Sequence, residues 1–87
     1  MEEWKKYNEN FDVSNCGRIK CTETGSFIKI NTNGPSDLVL LAGEEKTVAR
    51  LVAKLFLPGY KARKNVKHID GNRHNNCIVN LKVGESN

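Results

Sequence analysis

The stretch "TVARLVAKLFLPG", residues 47 to 59, carries the one clear helical repeat of apolar residues in this chain. Val48, Leu51, Val52, Leu55 and Phe56 recur three and four apart, which lays them on one stripe of an α-helix. Thr47 stands where an N-cap belongs, and Pro58-Gly59 ends the run, because proline cannot continue the hydrogen-bond ladder. Burying those five side chains contributes roughly 1.5–3 kcal/mol each before chain entropy is counted. With 87 residues there is room for one domain. The remaining segments must bring apolar faces to this stripe, so the helix is the expected centre of a small core.

Those segments read as strands. "NFDVSN", "GRIKCT" and "SFIKIN" alternate apolar and polar residues between turn signals at Asn15 to Gly17 and at Thr24-Gly25. "NTNGPSD" is a loop, and "DLVLLA" is a fourth strand that reaches a turn at Gly43. After the helix, "VKHI" and "CIVNLKV" flank a polar loop from Asp70 to Asn76. The expected architecture is α+β: an N-terminal antiparallel β-meander, one central amphipathic helix, then a β-hairpin. Residues 1–87 form a single domain, with 1–45 as the β module and 46–87 as helix plus hairpin.

Composition and charge narrow the function classes. Hydrophobic residues at 38% and charged ones at 28% exclude the low-hydrophobicity signature of disorder. No apolar run approaches the roughly 18 residues of a membrane span, and "MEEWKKYNEN" lacks the apolar region of a signal peptide. Three cysteines suit a reducing compartment better than a disulfide framework, so the expected location is cytoplasmic, with free thiols and at least one of them buried. Lys61, Arg63, Lys64, Lys67 and Arg73 face only Asp70 within residues 61 to 73, whereas residues 1 to 12 are net acidic. With Arg50 and Lys54 on the outer helix face, this basic edge suits phosphate, although a solvated basic loop has the same composition. Nucleic acid, or a protein that processes it, is the expected partner, and a membrane is not.

The chemistry-bearing segment is "NVKHIDGNRHNNCIVNL", residues 65 to 81. His68 lies in an apolar-flanked strand, where a lone histidine is ordinarily structural, and His74 is expected to be solvated. The asparagines carry turn chemistry. Cys16, Cys21, His74 and Cys77 have zinc-compatible donor types, but Cys21 follows Ile19 on the same strand face, and zinc is not expected. Trp4 reads as a core anchor rather than a stacking surface, because a small core needs its few aromatics.

"EEWKKYNENFDVSNCGRIK" is similar to the N-terminal module of phage and intron-encoded HNH endonucleases, through Trp4, Phe11, Val13, Ser14, Asn15, Gly17, Arg18 and Ile19. "VARLVAKLFLPG" resembles the helix that follows, and "VKHIDGNRHNNCIVNL" resembles the first two-thirds of the HNH motif; residues 21 to 47 have no clear counterpart. The resemblance implies a ββα-metal nuclease in which a divalent cation polarises the phosphate and a histidine activates water. By position His68 would be that base, and Asn80 would orient it or brace the loop. Asp70-Gly71 would make the turn, and Asn76 would hold the loop by side-chain to backbone hydrogen bonds.

Three departures accompany the resemblance. Lys67 replaces the family's metal-binding residue and offers no lone pair. Ala49 stands where relatives often carry histidine, and Asn80 is followed by seven residues, so the final metal-binding helix is expected to be lacking. The implied function is a catalytically defective, phage-type HNH-like protein that binds DNA, RNA or a nucleic-acid-handling host enzyme. One form is an inhibitor of a host defence nuclease, of the anti-CRISPR kind. The alternatives are an active nicking endonuclease using Mg²⁺ or Mn²⁺, with Asp70 and Asn76 as weak ligand candidates, and a protein-interaction domain without nucleic-acid contact. Otherwise no cofactor is expected. Restoring a carboxylate by Lys67→Asp is expected to raise Mn²⁺ affinity in titration calorimetry if the surrounding pocket is otherwise competent.

Overall fold

The helix predicted from the apolar stripe is α1, Val48–Phe56, in a computed structural model that describes residues 2–61 and 64–84. Its buried face is wider than the stripe: Val48, Ala49, Leu51, Val52 and Ala53 are buried, while Leu55 and Phe56 are half-buried. Thr47 occupies the N-cap in extended conformation, but its hydroxyl makes no capping bond. The Val48 N–H instead donates to the carbonyl oxygen of Asp37 at 3.0 Å. The helix therefore begins tied to the loop at residue 37. At the other end Leu57 N–H closes on Ala53 O at 2.9 Å, just before Pro58.

Among the described residues, three small antiparallel sheets surround this helix. The first contains β1 (Trp4–Lys6), β2 (Phe11–Ser14) and β3 (Ile19–Cys21) in that order. Val13 lies opposite Ile19 in the register, and both are 0% exposed, whereas the neighbouring Asp12 and Lys20 pair turns to the other face. Lys5 joins this sheet to the helix: its Nζ donates to Leu55 O at 2.9 Å and lies 4.8 Å from the Phe56 ring centre.

The second sheet contains β4 (Ile30–Asn31), β5 (Leu38–Leu41) and β6 (Glu44–Thr47). β5 buries Val39 and Leu41 and exposes Leu40, the alternation of a half-buried strand. Ala42 and Gly43 both have positive φ, 51° and 82°, as a two-residue hairpin turn matched to strand twist demands. β6 is absent from the sequence reading because "EEKT" has no apolar alternation; it is a strand because the hairpin pairs it with β5. It also runs across residue 45, so the β module and the helix are joined within a strand. The β-meander runs across two sheets: "SFIKIN" keeps a Lys20–Phe27 bridge to β3 and then pairs with β5 at Ile30 and Asn31.

The third sheet is the hairpin of β7 (Asn65–His68) and β8 (Leu81–Gly84). The first part of "CIVNLKV" is a 3-10 turn, Ile78–Asn80, and strand geometry begins at Leu81. All three sheets feed one core of Val13, Ile19, Val39, Leu41, Val48, Ala49, Leu51, Val52 and Leu81.

Two sequence expectations fail in this packing. Trp4 is not a core anchor: it is half-buried on the first sheet, with its ring 6.0 Å from that of Phe27 and the Lys20 ammonium 4.2 Å from its centre. None of the three cysteines is buried, since Cys16 is exposed and Cys21 and Cys77 are intermediate. Among the described residues no helix is long and apolar enough to cross a membrane. Because Ile19 sits opposite Val13 in the core with no exposed surface, Ile19→Ala is expected to cost about 2–5 kcal/mol. Chemical denaturation measures it directly.

Candidate functional site

Strand alternation sets the first element of the site. Within β7, Val66 and His68 are half-buried while Asn65 and Lys67 are exposed, so His68 points to the core side and its preceding lysine does not. Lys67 stands directly across from Lys82, and its stem lies over Gly84, where an added Cβ would come within 2.9 Å of Lys67 Cε. Beyond His68 the chain turns at Asp70-Gly71, with Gly71 N–H donating to His68 O at 3.0 Å.

Asn80 braces the loop that follows. Its Oδ1 accepts from Asp70 N–H at 3.0 Å, and its Nδ2 donates to Asp70 Oδ1 at 2.9 Å and to Asn75 O at 3.0 Å. The Asp70 carboxylate also accepts from Asn72 N–H at 2.8 Å and from Asn75 Nδ2 at 3.1 Å. Donation from the Asn72 backbone, then from the Asn75 and Asn80 amides, holds the Asp70 carboxyl below the ordinary carboxylate range.

A second set of bonds holds the imidazole. His68 Nε2 lies 2.8 Å from Asn76 Oδ1, and Asn76 Nδ2 donates to Asp37 Oδ2 at 3.0 Å. On its other side, Asp37 Oδ1 is 2.5 Å from His74 Nδ1. Asp37 and Asn76 are only 6% and 5% exposed. Two expectations change here. Asn76 bonds two side chains rather than the loop backbone, and His74, although on the surface, is paired with a buried carboxylate instead of simply solvated. Asp37 was not anticipated at all: in "NTNGPSD" it reads as a turn residue, and no local signal ties it to positions 68 and 76.

The N-terminal turn closes the other side of Asn76. Asn15 O accepts from Ile78 N–H at 2.7 Å, which runs the two segments together. Gly17, at φ +85°, is pressed so close that a Cβ there would sit 3.0 Å from Asn76 Cβ. Only glycine meets both the backbone angle and the contact without strain.

These elements border a groove of about 540 Å³ that gathers Asp37, Ala49, Arg50, Lys67, His68, Arg73 and Asn76. Three of the expected cations, Arg50, Lys67 and Arg73, thus share a rim with His68. Arg50 Nη1 also reaches Tyr60 OH at 3.3 Å. Lys54, one helical turn beyond Arg50, lies 5.5 Å from the Tyr7 ring centre and away from the groove, and neither Lys61 nor Lys64 borders it. Arg63 lies outside the described residues.

The oxygen donors around His68 and Asp70 are already engaged in hydrogen bonds. The oxygens beside His68 belong to Asn76 and Asp37, and both already serve the hydrogen-bond chain. The Asp70 carboxylate is taken up by its own loop. Among the described residues no group of three or more His, Cys, Asp or Glu side chains is gathered to hold a metal. For zinc, Cys77 S–H points to Cys16 O at 3.7 Å and His74 is committed to Asp37.

No family model matches the chain. An uncharacterized HNH endonuclease of Acanthamoeba polyphaga mimivirus is 33% identical over 88 residues, covering 94% of this chain and 27% of that protein. The structure of DNA binding and cleavage by the HNH homing endonuclease I-HmuI matches with a TM-score of 0.80 and 34% identity, over 94% of this chain and 52% of that one. The chain therefore spans about a quarter of the first relative and about half of the second. An α+β fold of meander sheets around one helix, with a histidine at the end of a hairpin strand, is that of an HNH endonuclease. By sequence and by fold this chain belongs to the HNH-type family.

Because the Asp70 pKa is depressed in the fold, bracing through its carboxylate is present above the ordinary Asp range and is lost as pH falls through the lowered value. Asn80→Ala removes two of the bonds to Asp70, one at its carboxylate and one at its N–H, so the Asp70 titration is expected to move up toward the ordinary range. Carboxyl carbon shifts followed by NMR report that movement.

Proposed function

We propose that this chain is a nucleic-acid-binding HNH-type unit with defective catalysis, whose groove seats a phosphate beside His68. The observation that carries the reading is convergence: Arg50 from α1 and Arg73 from the loop after β7 line one groove with His68 although they are separate in sequence, and Lys67, on the exposed face of β7, also borders it. Arginine presents a planar fork that matches phosphate oxygens, and a lysine on the same rim adds a point charge. The relative I-HmuI binds and cleaves DNA, which supports nucleic acid as the ligand class. The occupied oxygen donors and the lysine at position 67 support weakened catalysis. The expected setting is the cytoplasm, and a nucleic-acid-processing host enzyme is the partner in the form of the proposal that makes the chain a phage inhibitor of the anti-CRISPR kind.

Salt dependence tests it. Each phosphate neutralised on duplex DNA contributes about −0.9 to the log–log slope of affinity against salt. The double variant Arg50→Ala/Arg73→Ala is expected to flatten the slope by roughly 1.8. A wild-type affinity indifferent to salt, unchanged in the double variant, would overturn phosphate binding and favour the protein-interaction reading.

One observation favours a second reading, an active metal-dependent nickase with ligands from elsewhere. The His68 ring is held by a buried hydrogen-bond chain, as a general base must be held. Nicking of supercoiled plasmid in Mg²⁺ or Mn²⁺ that disappears in His68→Ala would establish that reading over the first.

A further inference from the structure

Asp37 lies in the segment that the family resemblance leaves without a counterpart, yet it is the buried acceptor of the chain of bonds that reaches His68. We propose that Asp37 is a positioning residue for His68: through Asn76 it holds the imidazole in its Nε2–H tautomer and leaves Nδ1 as the nitrogen with the free lone pair. This inference deepens the groove's proposed function and rests on it for its use, but not for its geometry.

The argument follows donors and acceptors. An ionised carboxylate has no hydrogen to give, so the side of the Asn76 amide that faces Asp37 Oδ2 at 3.0 Å must be its NH₂. The amide is planar and rigid, and its Oδ1 is thereby turned to the opposite side, 2.8 Å from His68 Nε2. A carbonyl oxygen only accepts. The hydrogen between them must come from His68 Nε2, and a neutral imidazole carries one N–H, so Nδ1 is bare. Flipping the amide would set its oxygen against the Asp37 carboxylate in a site where both residues are nearly excluded from water, and that contact is unfavourable.

Asp37 is itself held from two directions. His74 Nδ1 lies at its other carboxylate oxygen, 2.5 Å away, and Val48 N–H at the helix start donates to its main-chain oxygen at 3.0 Å. The bare Nδ1 suits a hydrogen from water or a hydroxyl and not a phosphate oxygen, which has none to give. In the groove the cations therefore take the phosphate, and His68 takes the water or hydroxyl next to it.

The test is the His68 tautomer in the full chain labelled with ¹⁵N-histidine, read by two-bond ¹H–¹⁵N correlation above the imidazole titration. The wild type is expected to show one tautomer, with Nε2 protonated and Nδ1 bare. Asp37→Ala is expected to give a mixture of tautomers, whereas His74→Ala, which leaves Asp37 Oδ2 in place, keeps the single form. If the alanine variant does not fold, Asp37→Ser takes its place, since a hydroxyl accepts or donates equally and cannot impose a direction on the amide. A wild-type Nδ1–H tautomer overturns the proposal without any variant, as does a single Nε2–H form persisting in a folded Asp37→Ala or Asp37→Ser. DNA binding measured on the same samples keeps the two ideas apart: its absence with the tautomer as expected sinks the phosphate groove and leaves Asp37 in its role.

Discussion

Everything in this fold leans on the burial of one helix face. α1 supplies Val48, Ala49, Leu51 and Val52 to the core, and each sheet contributes only a residue or two, such as Val13 and Ile19, Val39 and Leu41, or Leu81. None of the three sheets could stand alone, since two- and three-stranded ribbons of two to four residues bury too little apolar surface. Their mutual placement is therefore set by the helix they share. A site assembled across them inherits its precision from that packing.

The site is built where chain segments distant in sequence meet. The start of α1 is tied to the backbone of Asp37, the turn at Asn15 to Gly17 is pressed against Asn76, and β7 delivers His68 to the same point. Polar groups this well buried are tolerated because each is satisfied, and no buried side-chain nitrogen or oxygen among the described residues lacks a partner. The same bonds fix the His68 ring and the Asp70 loop in place.

Charge is distributed accordingly. Beside the first sheet, Glu2 accepts hydrogen bonds from Arg18, whose guanidinium lies over the Trp4 and Phe27 rings, and Glu2 is held down to about 2, chiefly by its hydrogen bonds from Arg18 and then Ser14. At the groove, Asp37 is buried and bonded to Asn76 and His74.

Periodicity made the helix legible, and with it the two strands whose Val13 and Ile19 alternate cleanly; turn chemistry marked Asp70-Gly71 and the stop at Pro58-Gly59. His68 stood out through its motif, and Asn80 through its place in that motif. β6 and the splitting of the meander escaped, because partners in a sheet are chosen by register and not by composition. Asp37, His74 and the switched role of Asn76 escaped for a deeper reason. Local sequence determines dihedral preference and which faces are apolar, and that was enough to specify the elements of this protein. Which carboxylate meets which amide across 39 positions is decided only when the core closes, since hydrogen bonds form between neighbours in space and the helix is what makes these groups neighbours.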